Sequence, residues 1–219
     1  MRAAARPKRT ETSVSVGKRP LTLSNLDKVL WPQDGYTKGD LIAYYRSVTK
    51  WIVPHLRDRP LTLERYPNGI DAASFFEKAK PRGVPDWIPT VRIEAPYRER
   101  GGTVEFLVCN DEATLTYVAN LAAIVLHVWT SRVGSLDNPD FVFFDLDPWE
   151  CSIRTLAEAA LGLRDLLEAI GLRPLVKTTG GSGLHVVVPL VPAYTYEHVK
   201  QFAAMIALRL AQEMPGHIT

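Results

Sequence analysis

Two aspartates stand two positions apart at the end of an apolar run, Phe141-Val142-Phe143-Phe144-Asp145-Leu146-Asp147. Such a run predicts a buried β-strand, and residues two apart on a strand share a face. Two carboxylates at that spacing repel each other unless a cation or a proton lies between them. Mg²⁺ and Mn²⁺ prefer oxygen ligands and commonly bind a few carboxylates together with substrate phosphates. Asp145 and Asp147 are therefore candidate metal ligands and catalytic residues, and the alternative is a strand end with solvated carboxylates.

A second candidate site is the glycine-rich segment 179–185, whose sequence is TGGSGLH. Glycine lets the backbone approach a ligand closely, and backbone N–H groups can bind phosphate oxygens. The segment lacks the Walker A spacing and leads into a strand, so it is neither a P-loop nor a dinucleotide-binding turn. Thr179, Ser182, Gly183 and His185 are candidate nucleotide-binding residues, and the alternative is an ordinary tight β-turn.

Five further side chains suit contact with nucleic acid. Phe75 and Phe76 are adjacent aromatics that could stack on bases, although either could belong to the core. Lys28 and Lys38 stand at predicted helix starts, where a lysine can meet a phosphate. Most exposed lysines bind nothing. His127 stands at the end of a predicted helix, where a histidine is more often a packed or capping residue than a ligand.

Composition and charge exclude several classes of protein. The chain has 219 residues, of which 46% are hydrophobic, and this suits one sizeable domain or two small lobes sharing a cleft. No apolar run reaches the roughly 18 residues of a membrane span, and the N-terminus lacks the apolar region of a secretory signal. The only cysteines, Cys109 and Cys151, lack metal-site spacing, which favours a reducing cytoplasm.

The net charge of +2 is unevenly distributed, because residues 1–20 hold six basic side chains and one acidic side chain. We expect residues 1–20 to form a flexible basic arm that either grips nucleic acid or is simply solvated, followed by one folded domain over 21–219. The spacing of apolar residues predicts helices over 40–54, 111–127, 152–170 and 195–213. It predicts strands over 61–66, 89–94, 103–108, 141–147, 175–178 and 184–190. This order predicts an α+β fold, with mixed or antiparallel sheets flanked by helices around a central cleft.

These pieces occur in an order that resembles the polymerase domain of bacterial ligase D, in the archaeo-eukaryotic primase superfamily. The resemblance covers residues 21–215 and is carried by seven segments. They are Asn25–Pro32, Thr37–Lys38, Arg65–Gly69, Phe75–Lys78, His127–Trp129, Asp145–Pro148 and Thr179–His185.

The resemblance implies a primase-polymerase fold and an enzyme that fills gaps at broken DNA ends in non-homologous end joining. It implies NTP or dNTP substrates, two Mn²⁺ or Mg²⁺ ions, DNA ends with a 5′-phosphate and, as further partners, Ku and a ligase domain. Asp145 and Asp147 would bind the metals, and Ser182 and His185 would lie along the triphosphate, with His127 near the nucleotide. The implied DNA-binding residues are Lys28 and Lys38 at the 5′-phosphate, Phe75 and Phe76 against bases, and Arg65.

The sequence departs from the family pattern in three places. Ser182 stands where many relatives have lysine, and Glu64 stands where some have a basic residue. The third metal carboxylate of the family is expected on a strand after the last predicted helix, so we expect the domain to lack its C-terminal part. Three hypotheses stay open: a nucleotidyltransferase, a 5′-phosphate-binding module with little catalysis, and a metal-dependent phosphoesterase or nuclease.

Overall fold

The computed structural model describes residues 10–94 and 102–215, which form two compact units that meet in the sequence at Trp129 and Thr130. The helices of the first unit are α1 (Lys38–Leu56) and α2 (Glu112–Asn120). Its strands are β1 (Glu11–Val16), β2 (Arg19–Ser24), β3 (Val29–Trp31), β4 (Tyr36–Thr37), β5 (Pro60–Arg65), β6 (Phe75–Glu77), β7 (Thr90–Glu94), β8 (Thr103–Val108) and β9 (Ala123–Val128). The second unit contains β10 (Phe141–Leu146), α3 (Ile153–Ala169), β11 (Leu175–Thr178), β12 (Leu184–Pro189) and α4 (Tyr196–Glu213).

The first unit is organised around β5, the strand predicted over 61–66. One edge of β5 pairs antiparallel with β9, and the other edge pairs with β8 at its start and with β6 at its end. Leu61 and Leu63 on β5 are almost fully buried, and they belong to a core that also includes Leu115 and Val118 of α2. This sheet holds the residues 64, 75, 76 and 127 in fixed register.

Helix α1 is the helix predicted over 40–54, and it begins two residues earlier and ends two residues later than predicted. Thr37 caps it in a capping box, because the Thr37 hydroxyl accepts from the Asp40 backbone N–H while the Asp40 carboxylate accepts from the Thr37 backbone N–H. The bond from the Thr37 backbone N–H, and after it a bond from the Thr37 hydroxyl to the same carboxylate, hold the pKa of Asp40 below its ordinary value. The helix continues through Pro54 to Leu56, two residues beyond the predicted end.

The prediction of one helix over 111–127 is wrong. The helix α2 ends at Asn120, and Ala122 adopts a left-handed conformation with φ +55°, after which the chain forms β9. An apolar run buried on most sides does not distinguish helix from strand by its pattern. His127 consequently lies within a strand, opposite Thr62 of β5, and not at a helix end.

The predicted flexible arm over 1–20 is wrong for its second half. Residues 11–16 and 19–24 pair as a β-hairpin, in which Val16 is buried together with Leu21. The most basic part of the predicted arm, residues 1–9, lies outside the described residues. Lys28 is also not at a helix start as predicted, because it lies in the turn that precedes β3.

The second unit is a three-stranded antiparallel sheet in the order β10-β12-β11, with α3 and α4 packed against one face. Alternate residues of β10 show this arrangement: Val142 and Phe144 are buried, whereas Phe143 is 42% exposed. The prediction that the run over 141–147 is a buried strand is wrong for Phe143, because only one face of the sheet is covered by helices. The strands predicted over 175–178 and 184–190 pair as a hairpin, and Gly171, with φ +83°, follows the last turn of α3 as a terminating glycine.

The α+β prediction is confirmed, since antiparallel sheets and four helices make up the described parts of the chain. Among the described residues, no helix is both long enough and apolar enough to span a bilayer.

Candidate active site

Asp145 and His185 form a direct pair across two strands of the second unit. Antiparallel pairing of β10 with β12 sets Asp145 opposite His185, and the His185 Nε2 lies 3.1 Å from the Asp145 Oδ1. The aspartate side chain is 49% exposed and the histidine side chain 24% exposed, so the carboxylate stays accessible to a ligand. The ring of Phe143 packs beside His185 with 5.1 Å between ring centroids. This contact and the carboxylate together fix the orientation of the imidazole.

Asp147 lies directly after β10 and against the glycine-rich turn. A Cβ added to Gly183 would come within 2.8 Å of the Asp147 Oδ1 and of the Leu146 carbonyl oxygen. Only glycine therefore lets the turn approach the end of β10 this closely. The structure brings Asp145, Asp147, Gly183 and His185, from two segments that the sequence marks as separate candidate sites, to one end of the sheet.

Thr179 holds the glycine-rich turn in shape. Its hydroxyl accepts hydrogen bonds from the backbone N–H groups of Gly181 and Gly183, at 3.3 and 3.1 Å, and lies 3.2 Å from the Gly183 carbonyl. The Gly180 backbone has φ +94°, which favours glycine. Ser182 is exposed on the turn. Of the two hydroxyls predicted to bind a nucleotide, the one on Ser182 is presented to solvent and the one on Thr179 is engaged in the turn.

The pair of aspartates suits Mg²⁺ or Mn²⁺ better than a metal that requires a full protein cage. Within 10–94 and 102–215, no cluster of three or more histidine, cysteine, aspartate or glutamate side chains is placed to hold a metal ion. Mg²⁺ commonly uses one or two carboxylates and takes its remaining ligands from water and substrate phosphates. Asp145 and Asp147 match that donor set, whereas zinc would need three or four protein ligands.

In the first unit, the two candidate phosphate-binding lysines are neighbours but have different surroundings. The backbone N–H of Lys38 donates to the carbonyl of Lys28 at 2.8 Å. Lys28 is exposed, and its Nζ donates to the Asn68 Oδ1 at 3.2 Å. Lys38 is only 5% exposed, and its Nζ donates to the Ser24 hydroxyl and the Asn120 carbonyl. Lys28 is thus the more accessible of the two cations.

His127 belongs to a hydrogen-bonded cluster centred on Glu64. The carboxylate of Glu64 accepts from the Tyr66 hydroxyl at 2.6 Å and from the Ser74 hydroxyl at 2.9 Å. The His127 Nε2 lies 3.4 Å from the other carboxylate oxygen. The hydrogen bonds from Tyr66 and then Ser74 hold the pKa of Glu64 below its ordinary value, and the bond to Glu64 raises the pKa of Tyr66. The sequence marks Glu64 only as a departure from the family pattern, and its hydrogen-bonded partners were not predicted because the register of the strands was unknown.

Phe75 and Phe76 lie on opposite faces of strand β6, as consecutive strand residues must. Phe76 pairs with Glu64 across the strands and packs on His127, with 5.3 Å between ring centroids. Phe75 packs under the guanidinium of Arg65, which also donates to the Glu77 carboxylate at 2.7 Å. Both rings are exposed enough for stacking, but they present separate surfaces.

Comparison with known proteins establishes the family to which this chain belongs. A model of the "LigD, primase-polymerase domain" family matches residues 37–219. The chain belongs to this family. The non-homologous end joining protein LigD of Mycobacterium bovis is 36% identical over 94% of the chain, and the Bacillus subtilis LigD is 34% identical over 91%. The chain spans only 28% and 31% of the lengths of these two relatives.

A solved structure supports the same assignment of fold. The polymerase domain of Mycobacterium tuberculosis ligase D, in complex with DNA, superposes with a TM-score of 0.82 at 35% identity. The match covers 89% of this chain and 70% of that domain. The primase-polymerase fold predicted from the ordered motifs is therefore confirmed.

We predict that Glu64→Gln lowers the free energy of unfolding by about 1–2 kcal/mol at neutral pH, because charged acceptors make the stronger hydrogen bonds. The ordinary pKa of this carboxyl is 4.5, and folding lowers it. The charged carboxylate therefore stabilises the fold at a pH above the pKa of the unfolded chain. That stabilisation is lost as the pH falls through the pKa of the folded protein. The difference between wild type and variant should therefore shrink from about pH 6 to about pH 3 in urea unfolding. Glu94→Gln, at the exposed end of β7, is the matched control. A difference that does not change with pH would contradict a stabilising charge at Glu64.

We predict that Gly183→Ala costs about 1–3 kcal/mol of stability, because the new methyl group must displace the Leu146 carbonyl or the Asp147 carboxylate. Gly181→Ala is the control in the same turn, since its Cβ would meet nothing nearer than the Thr179 hydroxyl at 3.9 Å. Urea unfolding of both variants measures the difference. Equal stability of the two variants would show that the glycine-rich turn is not in close contact with the end of β10.

Proposed function

We propose that the chain is a nucleotidyltransferase that adds nucleotides to broken DNA ends and fills gaps during non-homologous end joining. The observation that carries the proposal is the position of Asp145 and Asp147 beside His185 and the glycine-rich turn, at one end of the β10-β12-β11 sheet. Membership of the LigD primase-polymerase family supports it, as do the names of the relatives, which are end-joining proteins.

In the proposed reaction a primer 3′-hydroxyl attacks the α-phosphate of an NTP or dNTP, and pyrophosphate leaves. Asp145 and Asp147 would hold Mg²⁺ or Mn²⁺, which supplies positive charge for the phosphates and favours deprotonation of the attacking hydroxyl. His185 keeps the Asp145 carboxylate in place through the 3.1 Å contact. Backbone N–H groups of the glycine-rich turn and the exposed Ser182 hydroxyl would contact the phosphates.

The first unit would supply the contacts to DNA. We propose that Lys28, with Lys38 behind it, binds the 5′-phosphate on the far side of a gap, which recognises an end without reading sequence. Phe76 and His127 form one exposed ring surface, and Phe75 with Arg65 forms a second, and each suits stacking on an unpaired base. His127 would lie near the nucleotide, and a Ku protein and a ligase domain would act with the chain at the break.

A second candidate function is a DNA 5′-phosphate-binding module with little catalysis. The observation that favours it is the lack of a third metal ligand beside Asp145 and Asp147 among the residues that the structure describes. With only two carboxylates, most ligands of two metal ions would have to come from water and substrate phosphates.

We predict that primer extension on gapped, 5′-phosphorylated DNA with Mn²⁺ falls by more than about 100-fold in the double variant Asp145→Ala, Asp147→Ala, because both metal ligands are removed. DNA binding should be retained, since the DNA contacts that we propose are residues of the first unit. Asp165→Ala, an exposed aspartate of α3 that pairs with Arg164, is the control. Extension that survives the double substitution would contradict the metal site. A wild-type chain that binds the gap and does not extend it would favour the binding module.

We predict that Lys28→Ala weakens binding to gapped DNA about tenfold when the 5′-phosphate is present and hardly at all when it is absent, because one charge-assisted contact is lost. Lys50→Ala is the control, because Lys50 is an exposed lysine of the same unit whose ammonium lies over the Trp51 ring. Fluorescence anisotropy with the two DNA forms measures the difference. An equal loss on both forms would show that Lys28 contributes only general charge.

A further inference from the structure

We propose that Lys177, on strand β11, binds the phosphates of the incoming nucleoside triphosphate. This inference rests on the proposed function and adds a binding residue to its site. Its basis is the register of the sheet. His185 lies on the central strand β12, opposite Asp145 of the neighbouring strand β10 and opposite Lys177 of the other neighbouring strand, β11. Asp145, His185 and Lys177 therefore form one row across the three strands.

The row lies on the face of the sheet that the helices do not cover. Residues directly opposite one another in a sheet point to the same face, so Lys177 shares a face with Asp145. The adjacent residue Val176 is opposite Val186, which is buried in the core formed with the helices. Lys177 is exposed and shares the accessible face with the carboxylate that we assign to the metal site.

The distances within the row suit a ligand as long as a triphosphate. Neighbouring strands lie roughly 5 Å apart, so the backbones at Asp145 and Lys177 are separated by about 10 Å. A triphosphate with its α-phosphate at the aspartates would extend over His185 toward Lys177. The Lys177 ammonium has three donors, and its hydrogen bond to the adjacent Thr178 carbonyl, at 3.3 Å, uses one of them.

The charge of the sheet points to the same role. Lys177 is the only lysine or arginine on β10, β11 and β12, and the turn over 179–183 contains no cation. A nucleoside triphosphate beside two carboxylates brings several negative charges close together. Their mutual repulsion opposes binding unless cations lie nearby. The one cation of this sheet stands in the row that the triphosphate would follow.

The test compares binding of ATP and of adenosine in the presence of Mn²⁺, by equilibrium dialysis, for wild type, Lys177→Met, Lys177→Arg and Lys200→Met. Lys200 is an exposed lysine of α4 and provides a control of equal charge change in the same unit. We expect Lys177→Met to weaken ATP binding about tenfold and to leave adenosine binding unchanged, because a charge-assisted contact to phosphate is lost. Lys177→Arg should keep most of the affinity, and Lys200→Met should resemble wild type. In primer extension, Lys177→Met should raise the KM for the nucleotide more than it lowers kcat.

Several results would overturn the inference. ATP affinity that is unchanged in Lys177→Met, or that falls equally in Lys200→Met, would contradict a specific phosphate contact. Loss of DNA binding with unchanged ATP binding would show that Lys177 contacts the DNA backbone instead. If wild type extends primers and Lys177→Met binds ATP normally, the inference fails and the proposed function stands. If wild type neither binds ATP nor extends a primer, both fail. Urea unfolding of each variant confirms that the fold is intact.

Discussion

The antiparallel register of β10 on β12 is the constraint on which the candidate active site depends. It sets Asp145 opposite His185 and keeps Val142 and Phe144 on the face covered by α3 and α4. A slip of one residue would turn the apolar side chains to solvent and the aspartate into the core, so the buried face fixes the position of the chemical face. The core of the second unit therefore positions the carboxylate without touching it.

The glycine-rich turn strengthens that constraint from the end of the sheet. Gly183 lies so close to Asp147 and to the Leu146 carbonyl that a side chain would collide with both. The Thr179 hydroxyl closes the turn over the same contact. From the sequence alone the three glycines are compatible with phosphate binding through backbone N–H groups or with an ordinary tight β-turn. The structure gives one of them, Gly183, the different task of holding the turn against the end of β10, while Ser182 stays available to a ligand.

The sequence predicted the sites that depend on local spacing better than those that depend on register. The Asp145–Asp147 spacing, the turn at Gly180 and the cap of α1 at Thr37 follow from a few adjacent residues. The prediction of a helix over 111–127 is wrong because the chain changes from helix to strand at Ala122 within one apolar run. That error hid the position of His127 on a strand, and with it the contact to Glu64. Pairing partners that are 63 residues apart leave no local pattern to detect.

The two candidate phosphate lysines show how burial limits what a charge can do. An ammonium group is costly to bury unless hydrogen bonds replace its water, and the Ser24 hydroxyl and Asn120 carbonyl do this for Lys38. A phosphate must compete with those bonds to reach Lys38, whereas at Lys28 it competes with one exposed contact to Asn68. The backbone bond between the two residues joins the turn before β3 to the start of α1. The hydrogen bonds of the Lys38 ammonium tie the start of α1 to the end of β2 and to the end of α2, so of the two lysines Lys28 is the one whose charge is open to an anion.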